Sequence, residues 1–132
     1  MDLIFENKSV KFYFNNETKI FKASFFGVVN IQLITEAFEF IISNPSDLGT
    51  KAVITDLTKL KGTFTMLMDY FEDNLYPYLN SKGIICDAIV LNKDIFTKFS
   101  VKKLENAIDY IQIKTFTDED EALAWIKLLL EK

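Results

Sequence analysis

Apolar and polar positions along this chain switch between two periods. Over 20–26, Phe21, Ala23 and Phe25 alternate with Lys22 and Ser24, the period-two pattern of a strand with one buried face. Residues 3–6 and 10–14 also read as extended, with the polar run Asn15-Asn16-Glu17-Thr18-Lys19 as the turn of a hairpin. The period then becomes helical. Ile34, Ala37, Phe38, Ile41 and Ile42 make one stripe over 31–43, behind a capping Asn30 and ahead of a stop at Asn44-Pro45.

The alternation of strand and helix continues to the C-terminus. The run 52–57 predicts a short buried strand and 84–91 another, broken only by Asp87; 111–116 is the last. Between them, Phe64, Leu67, Met68, Phe71 and Leu75 sit at helical spacing after a cap at Thr63 or Thr65, and Pro77 is expected to kink or end that helix near Leu75-Tyr76. Ser100 is expected to cap a short helix with Val101, Leu104, Ala107 and Ile108 inward. A final helix behind acidic residues 118–121 packs through Ala122, Trp125, Ile126 and Leu129, with Trp125 largely buried. Helices alternating with strands after an opening hairpin imply parallel βαβ units with one antiparallel edge. The expected fold is α/β: a mixed β-sheet with an N-terminal antiparallel hairpin in ββαβαβαβα order, flanked by helices, in one domain over 1–132.

Composition narrows the chemistry. With no His, Ser-His-Asp and Cys-His catalysis and His-ligated zinc are excluded. All 15 basic residues are Lys, so no guanidinium fork exists for phosphate or carboxylate. A net charge of -4 argues against nucleic acid. Cys86, alone and within an apolar run, reads as a small buried hydrophobe in a reducing compartment. The first residues lack a signal-peptide pattern and no apolar run is long enough for a membrane span, so the expected location is cytoplasmic. No cofactor, no metal site and no enzymatic activity are expected.

Three groups of residues together carry a resemblance: Ile54-Thr55-Asp56-Leu57-Thr58, the segment 94–101, and the ending 115–126. With the element order, they resemble bacterial SpoIIAA-like proteins of the STAS type, a fold related in shape to lipid-carrying CRAL-TRIO domains. The resemblance implies an uncharacterised SpoIIAA-like domain acting as a non-enzymatic protein-interaction or regulatory module, with a protein partner or a homodimer. Anti-sigma antagonists of that family carry a phosphorylatable Ser in an Asp-Ser-Ser-Gly-Leu-type motif. The matching place here reads Lys61-Gly62-Thr63-Phe64-Thr65, which offers hydroxyls at Thr63 and Thr65 without that motif.

Ligands of open α/β sheets gather at the carboxyl ends of the parallel strands. There the sequence places Asp56, Thr58, Lys59, Lys61, Thr63 and Thr65, with Lys93 on the next strand end. One reading is a pocket for an anionic ligand or a phosphorylated partner, or a Thr that is itself modified. The other is ordinary capping and solvated loop charge. Asp56 either orders the loop through backbone N–H groups or is catalytic. Lys98, Lys102 and Lys103 form a basic patch offset by Glu105 and Asp109. The many aromatic residues read as core rather than as the wall of a cavity. A small-molecule or lipid carrier or sensor, taking an apolar or anionic ligand, remains the alternative function, and an apolar void of ligand size would favour it over the interaction module.

Overall fold

The computed structural model describes residues 1–44 and 49–131. Its strands β1 (Asp2–Glu6), β2 (Val10–Asn15), β3 (Ile20–Val28), β4 (Ala52–Lys61), β5 (Cys86–Val90) and β6 (Gln112–Phe116) form one sheet in the order β1-β2-β3-β4-β5-β6. The pairs β1–β2 and β2–β3 are antiparallel, whereas β3 to β6 run parallel. The expected antiparallel hairpin and the parallel strands that follow it are therefore present.

Strand order equals chain order, and crossovers between parallel strands are right-handed, so successive helices land on the same face. On that inner face lie α1 (Ile31–Ser43), a helical segment α2 spanning 65–81, and α3 (Ile95–Ala107). Ile34 and Phe38 of α1, Phe71 of α2 and Leu104 of α3 share a core with Phe12, Phe25, Leu57 and Ile89. Among the described residues, α4 (Glu119–Leu130) alone covers the outer face, where Ala122 and Ile126 pack on Ile54, Ala88 and Val90.

Local chemistry sets the ends of the elements. Asn30 caps α1 as expected, its side chain accepting from the Leu33 N–H at 3.0 Å. Pro45, expected to stop α1 together with Asn44, lies outside the described residues. In α2 a 3-10 turn (Thr65–Leu67) and one α turn (Met68–Tyr70) lead into a π turn (Phe71–Leu75), then α geometry resumes over Tyr76–Ser81. The wider turn falls where the ring of Pro77 would press on the carbonyl four residues back, so α2 is locally reshaped at the expected place and continues beyond it. Gly62, at φ 85°, reverses the chain after β4 in a conformation that a Cβ would strain.

Several expectations are corrected. β4 runs to Lys61 rather than ending at Leu57. A bulge between the pairs Ser24–Asp56 and Phe26–Lys59 allows this. Asn92 secures the bulge, its amide donating to the carbonyls of Leu57, Thr58 and Leu60 at 3.1, 3.2 and 2.8 Å. Helix α3 begins at Ile95, capped by Asp94, while Ser100 sits inside it and Ala107 is exposed. Neither Thr63 nor Thr65 is the N-cap of α2; Phe64 holds that place, although the Thr63 hydroxyl accepts the Thr65 N–H at 3.1 Å. Trp125 is half-buried, its ring tilted at 49° against that of Phe116 with centroids 5.6 Å apart, because among the described residues the outer face has one helix to close over it.

Candidate functional site

Between the inner face of the sheet and helices α1 and α2 lies a cavity of about 320 Å³. Its walls are mostly apolar: Phe25 of β3, Ile34 and Phe38 of α1, Leu57 of β4, Leu67 and Phe71 of α2, and Ile89 of β5 all line it. Asn44, Gly49, Thr50 and Lys82 line it as well, at the amino-terminal ends of β4 and β5. The aromatic residues expected to fill a solid core thus also form the wall of a void. Ala23 and Thr55 are two of the reasons, since small side chains occupy positions at the centre of the inner face.

Among the described residues, one acid lines this cavity. Asp87 is 1% exposed, in the middle of β5, and its side chain shares the inner face with Ile89. The Thr55 hydroxyl from β4 donates to its Oδ1 at 2.7 Å, and the Tyr76 hydroxyl from α2 donates to its Oδ2 at 2.7 Å. Tyr76 follows directly on the π turn, which sets the rotation at which its ring meets the strand. Burial pushes the Asp87 carboxyl up to about 6, against the lowering effect of the two hydroxyls. Burial, and then the neighbouring Asp87, also holds the Tyr76 phenol well above its ordinary range. Cys86 points to the opposite face, and burial pushes its thiol up to about 11, away from the reactive thiolate form. Sequence reading missed Asp87 and Tyr76 as a site; the signal was the single acid inside an apolar strand.

The residues expected to form a crevice at the carboxyl edge are divided between the two faces. On the outer side, Asp56 accepts both the Thr58 N–H and the Thr58 hydroxyl, at 2.9 and 2.6 Å, and lies 4.0 Å from Lys22. Lys59 reaches over the Phe26 ring at 5.8 Å, and its strand neighbour Lys61, paired with Val28, is exposed, as is Lys93. Thr63 faces α3 instead, its hydroxyl 2.6 Å from that of Ser100 and 3.0 Å from that of Thr65. The backbone donors of this turn are occupied by side chains: Gly62 N–H by Asp94, Phe64 N–H by Ser100, and Thr65 N–H by Thr63. The Gly62 N–H, together with those of Phe96 and Thr97, holds the Asp94 carboxyl below the ordinary carboxylate range. The structure therefore gathers Asp56 with Thr58, and Thr63 with Thr65.

Beside this turn, α3 turns an apolar ridge outward. Ile95, Phe96 and Phe99 are 72%, 63% and 55% exposed, and Met66 of α2 is exposed as well. Lys103 lies over the Phe99 ring at 5.0 Å. Among the described residues, no helix is long and apolar enough to cross a membrane.

No family model and no curated protein matches the sequence. Among solved structures, the chain is similar to an uncharacterized protein of the DUF3478 family from Shewanella loihica PV-4, described as having a SpoIIAA-like fold. The match covers 92% of this chain and 98% of that one, with a TM-score of 0.58 and 16% identity. The fold is SpoIIAA-like, as the sequence resemblance implied.

Proposed function

We propose that this chain is a non-catalytic binding domain that holds a small, mostly apolar molecule between its sheet and helices, as a carrier or sensor. One observation carries the reading: the inner core holds a partly open cavity of about 320 Å³ lined mostly by aromatic and aliphatic side chains. Close-packed interiors hold few voids larger than a water molecule, and ligand pockets begin at about 300 Å³. The inert Cys86 thiol supports a non-enzymatic role in a reducing, cytoplasmic setting.

The test is the content of the cavity. Native mass spectrometry of the purified protein, followed by denaturing extraction, is expected to release a small organic molecule, and decanol is expected to shift inner-face methyl resonances such as those of Ile34 and Ile89. Ala23→Phe, which fills the cavity from the sheet side, should abolish both. An empty wild-type protein whose methyls ignore decanol would end the proposal.

The exposed ridge of Ile95, Phe96 and Phe99 favours a second reading, a protein-interaction or regulatory module that engages a partner or a second copy of itself through α3. Sedimentation at micromolar concentration is then expected to show a dimer that Phe96→Ser with Phe99→Ser disperses. A species of 15.3 kDa alone would count against self-association.

A further inference from the structure

We infer that the ligand of the inner cavity is an amphipathic amine of roughly a dozen non-hydrogen atoms, whose protonated nitrogen hydrogen-bonds to Asp87 while its apolar body lies against Ile34, Phe38 and Phe71. The size follows from volume. A void of about 150 Å³ takes up benzene, and this one is about twice as large at 320 Å³. The inference rests on the binding-domain reading and names the class of molecule that the domain takes.

The polar end follows from the chemistry of the one carboxylate that lines the cavity among the described residues. A carboxylate offers about four acceptor positions. Asp87 fills one from Thr55 and one from Tyr76, and both donors are neutral hydroxyls. No ion pair is formed at Asp87 among the described residues, and the groups that face it are those two hydroxyls and apolar side chains. Near neutral pH this leaves a buried negative charge with acceptor capacity beyond those two bonds and no ion-pair partner among the described residues, at a mostly apolar wall. Such a charge repels an anionic ligand and gains most from a cation that also donates hydrogen bonds. An ammonium does both with one atom. Lys82, which lines the same cavity, would instead suit a carboxylate, and the experiment separates the two.

Decylamine, decanol and decanoate share one apolar body and differ at the head. Each is titrated into the full chain at pH 7.5, below its micelle concentration, with binding read from the Ile89 and Ile34 methyl resonances and by calorimetry. The amine is expected to bind about tenfold tighter than the alcohol, and the acid weakest, since a charge-assisted hydrogen bond is worth about that factor. Asp87→Asn should remove the preference for the amine over decanol. Should that variant fail to fold, the wild type still decides the matter, because amine affinity must fall about tenfold between pH 7.5 and pH 4.5 while decanol affinity holds. Decanol or decanoate binding as tightly as the amine would overturn the amine assignment and leave the cavity standing. Failure of all three to bind would overturn the binding-domain reading itself.

Discussion

The phenolic hydroxyl of Tyr76 donates to Oδ2 of Asp87 at 2.7 Å, and this bond ties the last α turn of α2 to β5, the strand between β4 and β6. Both residues are buried; Asp87 is the partner of the phenol, and Thr55 donates to the other carboxylate oxygen. A buried pair of this kind exchanges some stability for a fixed orientation, and its energetics can be read by titration.

The Asp87 carboxyl rises on folding from its ordinary 3.8 to about 6, so between those values the folded chain holds its proton more firmly than the unfolded chain. Stability contributed by this group is therefore present below about pH 4, is lost as pH rises towards 6, and stays lost above. The loss is on the order of 2–3 kcal/mol, from roughly two pKa steps. Urea unfolding of wild type and Asp87→Asn at intervals from pH 4 to pH 7 should show the variant gaining on wild type across that window. A constant difference would mean that Asp87 does not titrate as its burial demands.

Tyr76→Phe removes one of the two hydroxyl donors and keeps the ring. The expected cost is about 1–3 kcal/mol, the desolvation penalty of an acceptor left with fewer partners. The midpoint of Asp87 should rise further, because a donor that lowers it is gone. Carboxyl NMR titration gives the midpoint directly, and a midpoint unchanged from wild type would contradict the bond.

Asn92→Ala leaves the carbonyls of Leu57, Thr58 and Leu60 without their shared donor. A loss of about 1–3 kcal/mol is expected, with hydrogen exchange accelerated at residues 57–61 more than in β5. Unaltered exchange there would show that β3 pairing alone holds the bulge.

Phosphate at tens of millimolar should leave the amides of Gly62, Phe64 and Thr65 unmoved in NMR spectra, because Asp94, Ser100 and Thr63 already occupy them. Lys59 and Lys61 project from the outer side of β4, away from that turn. Concerted shifts at the three amides would restore the anion-binding reading of this edge.

Most of the sheet was legible because period-two and helical stripes report directly on burial. Asn30 and the stripe of Ile34, Ala37 and Phe38 placed α1 to the residue. β4 was cut short because its bulge breaks the period: Leu57 and Leu60 are both buried at a spacing of three, and the group that stabilises this, Asn92, lies far along the chain. The first turn of α3 was hidden because Ile95, Phe96 and Phe99 face solvent and obscure the stripe formed by Val101 and Leu104. The cavity could not be read at all. The same aromatic residues at the same spacings close a core or surround a void, and the difference lies in how the turns of α2 set its distance from the sheet.

A strand order that repeats the chain order has a consequence for how the molecule is made. Each strand pairs with the one synthesised just before it, so the sheet can grow from the N-terminus as the chain leaves the ribosome, each parallel strand waiting only for the crossover helix before it. The exception is α4. Until residues 119–130 emerge, Ile54, Cys86, Ala88 and Val90 form an uncovered apolar strip on a growing sheet. The last helix is thus the element on which escape from aggregation during synthesis depends, and a chain cut before Asp118 should be the species that chaperones retain.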